Sequence, residues 1–320
     1  MPKKIISKNR VIFFIASHVH VLDLAGPLQV FYEAATYNIP YQIVYVSNKD
    51  ARQFSSGLGI NGLAHFSTVD VTGDDILIIP GFDLYEYNKE DYTAFYTWLQ
   101  HANEQKAVIC SICTGAFALA KAGLLNGIES TTHWKYVTGL QEQFPETKVL
   151  QNRLFVTADN IYTSAGITTG IDMALYIMEE RHGPQFAYQL ARELVVYMRR
   201  DGDHAQESIY LQHRQHINNH IHTIQDWIVN HLAEKITIEG LAAMVYTSPR
   251  NLTRLFKNTT GVTIGAYVEK MRAEKAMQLL KAGEKVTAVN HACGFKSATQ
   301  LRAIIKKHTG YLPRAFKELS

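Results

Sequence analysis

Apolar residues follow two different rhythms along the chain. Up to about residue 180, short apolar runs alternate with longer stretches of helical spacing. Arg10 to Ser17 (RVIFFIAS), Tyr41 to Ser47 (YQIVYVS), Asp75 to Pro80 (DILIIP) and Lys106 to Cys113 are apolar at nearly every position. Strands covered on both faces of a parallel sheet have that pattern. Helices are predicted over Asp23 to Tyr37, with Pro27 near the first turn, and over Glu90 to Ala102, Thr168 to Arg181 and Pro184 to Arg200. Two shorter β-like runs fall at Leu154 to Ala158 and Ile161 to Ser164. The alternation implies an α/β sheet with helices on both faces. Ligands of such sheets gather at the carboxyl ends of the strands, where Gly81 and Cys113 lie.

Asp201 to His216 is polar, carries Gly202 and has little periodicity, so it is expected to be a linker. From Ile217 onward the pattern predicts short helices only, and it repeats. SPRNLTRLFKNTTG (Ser248 to Gly261) returns as SATQLRAIIKKHTG (Ser297 to Gly310) at an offset of 49 residues. A helix, a turn and a basic amphipathic helix, occurring twice, is the sequence form of two helix-turn-helix units. In the first unit Leu241, Ala242, Leu252, Leu255 and Phe256 form the apolar inside. Arg250, Thr253, Arg254 and Lys257 then project outward, where Arg reads guanine edges and Lys meets phosphate.

Charge separates the same two parts. The net charge of +3 divides into 15 Lys and Arg against 7 Asp and Glu from Ile217 to Ser320, and 17 against 22 before it. The balances of +8 and −5 point to a polyanion partner for the C-terminal part only. A chain of 320 residues is expected to form two domains, here 1–200 and 217–320, joined by 201–216. Three cysteines make no disulfide framework. No stretch approaches the roughly 18 apolar residues of a membrane span, and MPKKIISKNR lacks a signal-peptide core. A cytoplasmic location without membrane contact is expected.

Candidate chemistry centres on ICSICTGAFALAKAGLL (Ile109 to Leu125), where a strand stops at Cys113 and restarts as a helix. A sharp turn there lifts the thiol out of the strand end above helix N-terminal amides, a setting expected to favour the thiolate. Cys110 and Cys113 match a CxxC spelling, but strand alternation points them opposite ways. Cys293, before Gly294, reads as a small buried residue. His204, His213, His216, His220 and His222 read as a polar linker entering a solvated helix, with His216 and His220 at i,i+4 spacing, and not as a metal site.

Ile238 to Leu255, Arg272 to Leu280, Ala292 to Phe295 and Thr309 to Phe316 together resemble the DNA-binding domain of AraC-family transcription regulators. The resemblance implies double-stranded DNA as a partner, with two recognition helices in successive major grooves. By position, Ser248, Arg250, Thr253, Arg254 and Lys257 would serve the first helix. Lys296, Ser297, Thr299, Gln300, Arg302 and Lys306 would serve the second. Asn290, Ala303 and Ile305 depart from the family's pattern, which implies weaker readout by the second unit.

Asp23-Leu24-Ala25-Gly26-Pro27, Ile79-Pro80-Gly81, Cys113-Thr114-Gly115-Ala116, Ala122-Gly123-Leu124-Leu125, Thr132-His133-Trp134 and Thr163-Ser164-Ala165-Gly166 are similar to the PfpI/ThiJ superfamily. That superfamily has a class I glutamine amidotransferase-like, flavodoxin-like fold. Joined to an all-α domain of two helix-turn-helix units, it looks like the GlxA type of AraC-family regulator. The resemblance implies a homodimer through the N-terminal domain, RNA polymerase as a partner, and a small effector such as an amino acid or quaternary amine. It implies neither cofactor nor metal.

Enzymes of the superfamily use an elbow cysteine, a carboxylate and sometimes a histidine, which correspond here to Cys113, Asp23 and His133. Amides after Gly81 and at Thr114 would form an oxyanion hole. Two departures weigh against turnover: the elbow is Cys-Thr-Gly where peptidase-like members have Cys-His-Gly, and Phe82 replaces a glycine and is expected to narrow the pocket. Asp23, Gly81, Phe82, Cys113, Thr114 and His133 are therefore expected to bind a ligand without turnover. A redox-sensing Cys113 and a Cys-dependent hydratase or amidase of the isonitrile hydratase type are the alternatives.

Overall fold

The computed structural model describes residues 9–196, 200, 202, 206, 213, 214, 216–281 and 283–309. Most of the expected linker, His204, and the Thr309 to Phe316 match beyond Thr309 lie outside the described residues. The chain divides into two compact units, Met1–Gln206 and Glu207–Ser320.

The strands of the first unit are β1 (Arg10–Phe14), β2 (Gln42–Ser47), β3 (Ala51–Gln53), β4 (Gly59–Asn61), β5 (Ala64–His65), β6 (Ile76–Ile79), β7 (Val108–Ile112), β8 (Glu129–Ser130), β9 (Lys148–Val149), β10 (Phe155–Ala158) and β11 (Ile161–Ser164). Among the described residues, seven of them form one sheet in the order β10-β11-β7-β6-β1-β2-β5. Every neighbouring pair in it is parallel except β10 with β11. Val11 to Phe14 and Ile76 to Ile79 are wholly buried, which explains their unbroken apolar runs.

The helices are α1 (Val21–Glu33), α2 (Leu84–Tyr87), α3 (Thr93–Glu104), α4 (Gly115–Lys121), α5 (Val137–Gln143), α6 (Thr168–His182) and α7 (Pro184–Glu193). α1 packs against α6 and α7, while α3 packs against α4. α1 begins two residues before the predicted start, so Pro27 stands inside the helix and not in its first turn. Pro27 has no N–H to give the carbonyl of Asp23. The β3–β4 hairpin was not legible in the apolar pattern, because its short strands are largely polar. Buried Arg52 holds it, donating to Glu90 Oε2 at 2.8 Å and to Ser47 Oγ at 2.9 Å.

The second unit contains α8 (Asn219–Asn230), α9 (Ile238–Met244), α10 (Pro249–Thr260), α11 (Ile264–Lys281), α12 (Val286–Ala292) and α13 (Ala298–Thr309). Here the expectation of short helices only fails: α11 runs for 18 residues. Its Tyr267 and Met271 belong to one apolar core with Leu241, Leu252 and Phe256, and its Ala276 and Leu280 to a second core with Val289, Leu301 and Ile305. A helix shared by two cores must be long. His216 precedes α8, so the i,i+4 pairing with His220 does not form; its ring stacks on His222 at 4.2 Å instead.

Candidate functional site

Cys113 closes β7 with φ 54°, a left-handed value that is unusual for a residue with a side chain. Its N–H continues the ladder to the Ser164 carbonyl at 2.9 Å, and its own carbonyl accepts from Thr132 Oγ1 at 2.8 Å. Two glycines make room for the turn. A Cβ on Gly81 would collide with Asp23 Oδ2 and lie 2.8 Å from Cys113 Cβ, and one on Gly166 would lie 2.5 Å from Cys113 Cβ.

Asp23, in the first turn of α1, is fully buried beside the thiol. Its Oδ1 accepts from the Ile167 N–H at 2.6 Å, and its Oδ2 lies 3.3 Å from His20 Nδ1. Ile167 holds a left-handed φ of 52°, a strained state for a β-branched side chain, so positive φ occurs on both sides of Asp23. A cavity of about 460 Å³ opens above this floor. Asp23, Cys113 and His133 line it, together with His20, Ser55, Ser56, Lys135 and Tyr136.

The structure thus brings three of the six predicted pocket residues to one cavity. Gly81, Phe82 and Thr114 are buried beneath it and do not line it. Phe82 does not narrow the pocket: its ring stacks on Tyr87 at 4.0 Å, within the core. Thr114 Oγ1 accepts from the Phe82 N–H at 2.8 Å and donates to the Phe82 carbonyl at 2.7 Å. One of the two amides expected to form an oxyanion hole is therefore already bonded.

The thiol also differs from expectation. Burial, followed by the Asp23 charge, pushes Cys113 up to about 12, against a smaller opposing effect of the polar groups of Thr114. Desolvation outweighs what the seven-residue α4 offers, so the elbow does not favour the thiolate. Burial lowers the His133 pKa, with Asp23 acting in the opposite direction. His133 Nδ1 accepts from the Lys135 N–H at 3.3 Å. Cys110 is fully buried in the strand, and burial raises its pKa as well. The apolar pattern and motifs do not single out His20, Ser55, Ser56, Lys135 or Tyr136, which also line the cavity. Only His20 left a signal, three residues before Asp23 on one helical face.

In the second unit Arg250, Arg254, Lys257, Lys296, Thr299, Arg302 and Lys306 are exposed, and Thr253 and Gln300 are half-buried. Ser248 and Ser297 are exposed too, but their hydroxyls accept the N–H groups of Asn251 and Gln300, each at 3.2 Å. These serines cap the starts of α10 and α13, which accounts for their recurrence in the repeat. Thr253 Oγ1 donates to the Pro249 carbonyl at 2.8 Å, and Gln300 Oε1 accepts the Lys296 N–H at 2.8 Å. The groups left facing outward on both helices are mainly Arg and Lys.

Residues 9–180 match the DJ-1/PfpI family, and residues 241–318 match a helix-turn-helix domain. The chain is similar to the HTH-type transcriptional regulator GbdR of Pseudomonas aeruginosa, 31% identical over 68% of this chain and 59% of that protein. It spans about three fifths of the length of that relative. It is also similar to the HTH-type transcriptional regulator GlxA of Rhizobium meliloti, 24% identical over 83% of this chain and 81% of that one. Isonitrile hydratase of Pseudomonas putida is 29% identical over 57% of this chain and 76% of its own. A crystal structure of an AraC family transcriptional regulator from Pseudomonas putida shares the fold, with a TM-score of 0.51 and 17% identity over 58% of this chain and 99% of that one.

Proposed function

This chain belongs to the DJ-1/PfpI family, and on that premise we propose that it is a DNA-binding transcription regulator of the AraC type. The observation that carries the reading is the junction in one chain of a DJ-1/PfpI domain over residues 9–180 and a helix-turn-helix domain over 241–318. The outward faces of α10 and α13 carry Arg250, Arg254, Lys257, Arg302 and Lys306, the residue types that read guanine and hold phosphate.

The N-terminal unit is the sensor in this reading, and a homodimer forms through it. The effector is a small metabolite of the amino acid or quaternary amine class. A buried carboxylate at the cavity floor and the rings of His133 and Tyr136 on its lining suit a small cation, and Lys135 on the same lining suits a carboxylate. The protein works where DNA is, in the cytoplasm. Among the described residues no helix is long and apolar enough to cross a membrane.

Turnover is not assigned. Phe82 N–H is bonded to Thr114, and burial and Asp23 push the Cys113 pKa up, so a hydratase or amidase would lack one of its two oxyanion donors and a ready nucleophile. A thermal-shift screen of the full chain against amino acids and quaternary amines tests the sensor, because a cognate ligand raises stability by mass action. The hit is then added to a gel-shift titration on the DNA flanking its own coding sequence. A ligand that stabilises the chain and changes operator affinity supports the reading. Turnover of an isonitrile or amide, lost in Cys113→Ala, overturns it.

A further inference from the structure

Three different metal-ligating atoms meet at the floor of the cavity: His20 Nδ1, Asp23 Oδ2 and Cys113 Sγ all lie within 4.8 Å of one another. We propose that these three residues bind one divalent transition-metal ion of the zinc type, with a fourth coordination position open to the cavity.

The donor set selects the class of ion. Magnesium and calcium take oxygen ligands, and copper(I) takes sulfur, whereas zinc(II) and cobalt(II) accept a mixed set of imidazole nitrogen, carboxylate oxygen and thiolate sulfur. The spacing agrees with that choice. Bonds of about 2.0–2.3 Å in a tetrahedral site hold ligand atoms roughly 3.3–3.7 Å apart. His20 Nδ1 and Asp23 Oδ2 already stand 3.3 Å apart.

The His20 ring reaches Asp23 and does not serve as a helix cap. It occupies the N-cap of α1, where Ser, Thr, Asp or Asn would bond a free amide, yet its side chain makes no cap hydrogen bond. Its side chain is one-third exposed, so the ring has room to close the last distance to the thiol. Its backbone is fixed by an N–H bond to the Gly81 carbonyl at 2.8 Å. Asp23 is oriented from behind, because Oδ1 accepts from the Ile167 N–H and Oδ2 is left facing His20. An outer partner of that kind fixes a metal-bound carboxylate in the manner of second-sphere hydrogen bonds.

Charge balances as well. The ion displaces the thiol proton to solvent, and its two positive charges meet one carboxylate and one thiolate, leaving a neutral cluster in a buried place. The fourth position would face a carboxylate or amine of a cavity ligand. A bound metal neutralises the Asp23 carboxylate that would otherwise face a cationic effector, and because metal binding is measured with no metabolite present, its failure and that of the effector reading are distinguishable.

The test titrates the chelator-stripped full chain with cobalt(II). One equivalent should give a thiolate-to-cobalt charge-transfer absorption in the near ultraviolet, which zinc(II) then abolishes. Cys113→Ser should remove that absorption, and Cys110→Ser should leave it unchanged. His20→Gln, at a partly exposed position, should weaken metal affinity by at least about 10-fold with an unchanged circular dichroism spectrum. An absent charge-transfer band at saturating cobalt overturns the proposal. So does a band that survives Cys113→Ser, or an affinity that His20→Gln does not change.

Discussion

The Thr114 hydroxyl and the Phe82 backbone bind each other twice, through a 2.8 Å bond from the Phe82 N–H and a 2.7 Å bond to the Phe82 carbonyl. This reciprocal pair joins the loop after β6 to the elbow after β7. It also turns a threonine that looked like a missing catalytic base into a structural clasp. Thr114→Val keeps the shape and leaves a buried donor and a buried acceptor without their partner. The expected cost is about 2–4 kcal/mol, read as a lower urea midpoint of the full chain. An unchanged midpoint would show that the clasp does not hold the elbow.

Cys113 should be a slow thiol in the metal-free chain. With its pKa pushed up to about 12, only a minute fraction is thiolate at pH 7.5. Iodoacetamide should therefore modify it at least about 100-fold more slowly than free cysteine, as followed by mass spectrometry. Alkylation at the free-cysteine rate would instead favour the redox-sensing or nucleophilic readings of this residue.

Glu90, in the loop between α2 and α3, anchors the β3–β4 hairpin through Arg52, and the turn of that hairpin brings Ser55 and Ser56 to the cavity. Hydrogen bonding from Arg52, the largest cause, lowers its pKa from 4.5 to about 2. A depressed carboxylate pKa contributes stability that is fully present above the unfolded value and is lost as pH falls through the folded one. The N-terminal unit should accordingly lose stability between about pH 4.5 and 2. Glu90→Gln should cost about 2 kcal/mol at pH 7 and flatten that slope in denaturant titrations across pH. A variant with the parent slope would remove Glu90 as its cause.

Reading and capping separate in the second unit. Arg254→Ala should cost about 1–3 kcal/mol of site-specific affinity and relax sequence preference. Lys257→Ala should weaken all sequences alike and reduce the salt slope by about 1. Ser248→Ala should instead lower the stability of the chain by about 1 kcal/mol with little change in base preference, because its hydroxyl is bonded to the Asn251 N–H. Gel-shift titrations on operator and scrambled DNA, paired with thermal unfolding, distinguish the three.

The sequence by itself determined the architecture wherever burial is uniform. Val11 to Phe14 and Ile76 to Ile79 are strands because a parallel sheet covered on both faces needs apolar residues without alternation. The repeat around Ser248 and Ser297 located α10 and α13, since caps and core positions recur at fixed spacing. Cys113, Asp23 and His133 were legible as the floor and wall of one cavity. Only tertiary structure decided what they meet. The use of Thr114 and the arrival of Ser55 depend on contacts between segments remote in sequence. The state of the Cys113 thiol was decided in the same way: chain order shows a helix start, which favours the thiolate, but the burial that outweighs it exists only once the fold has closed over the elbow.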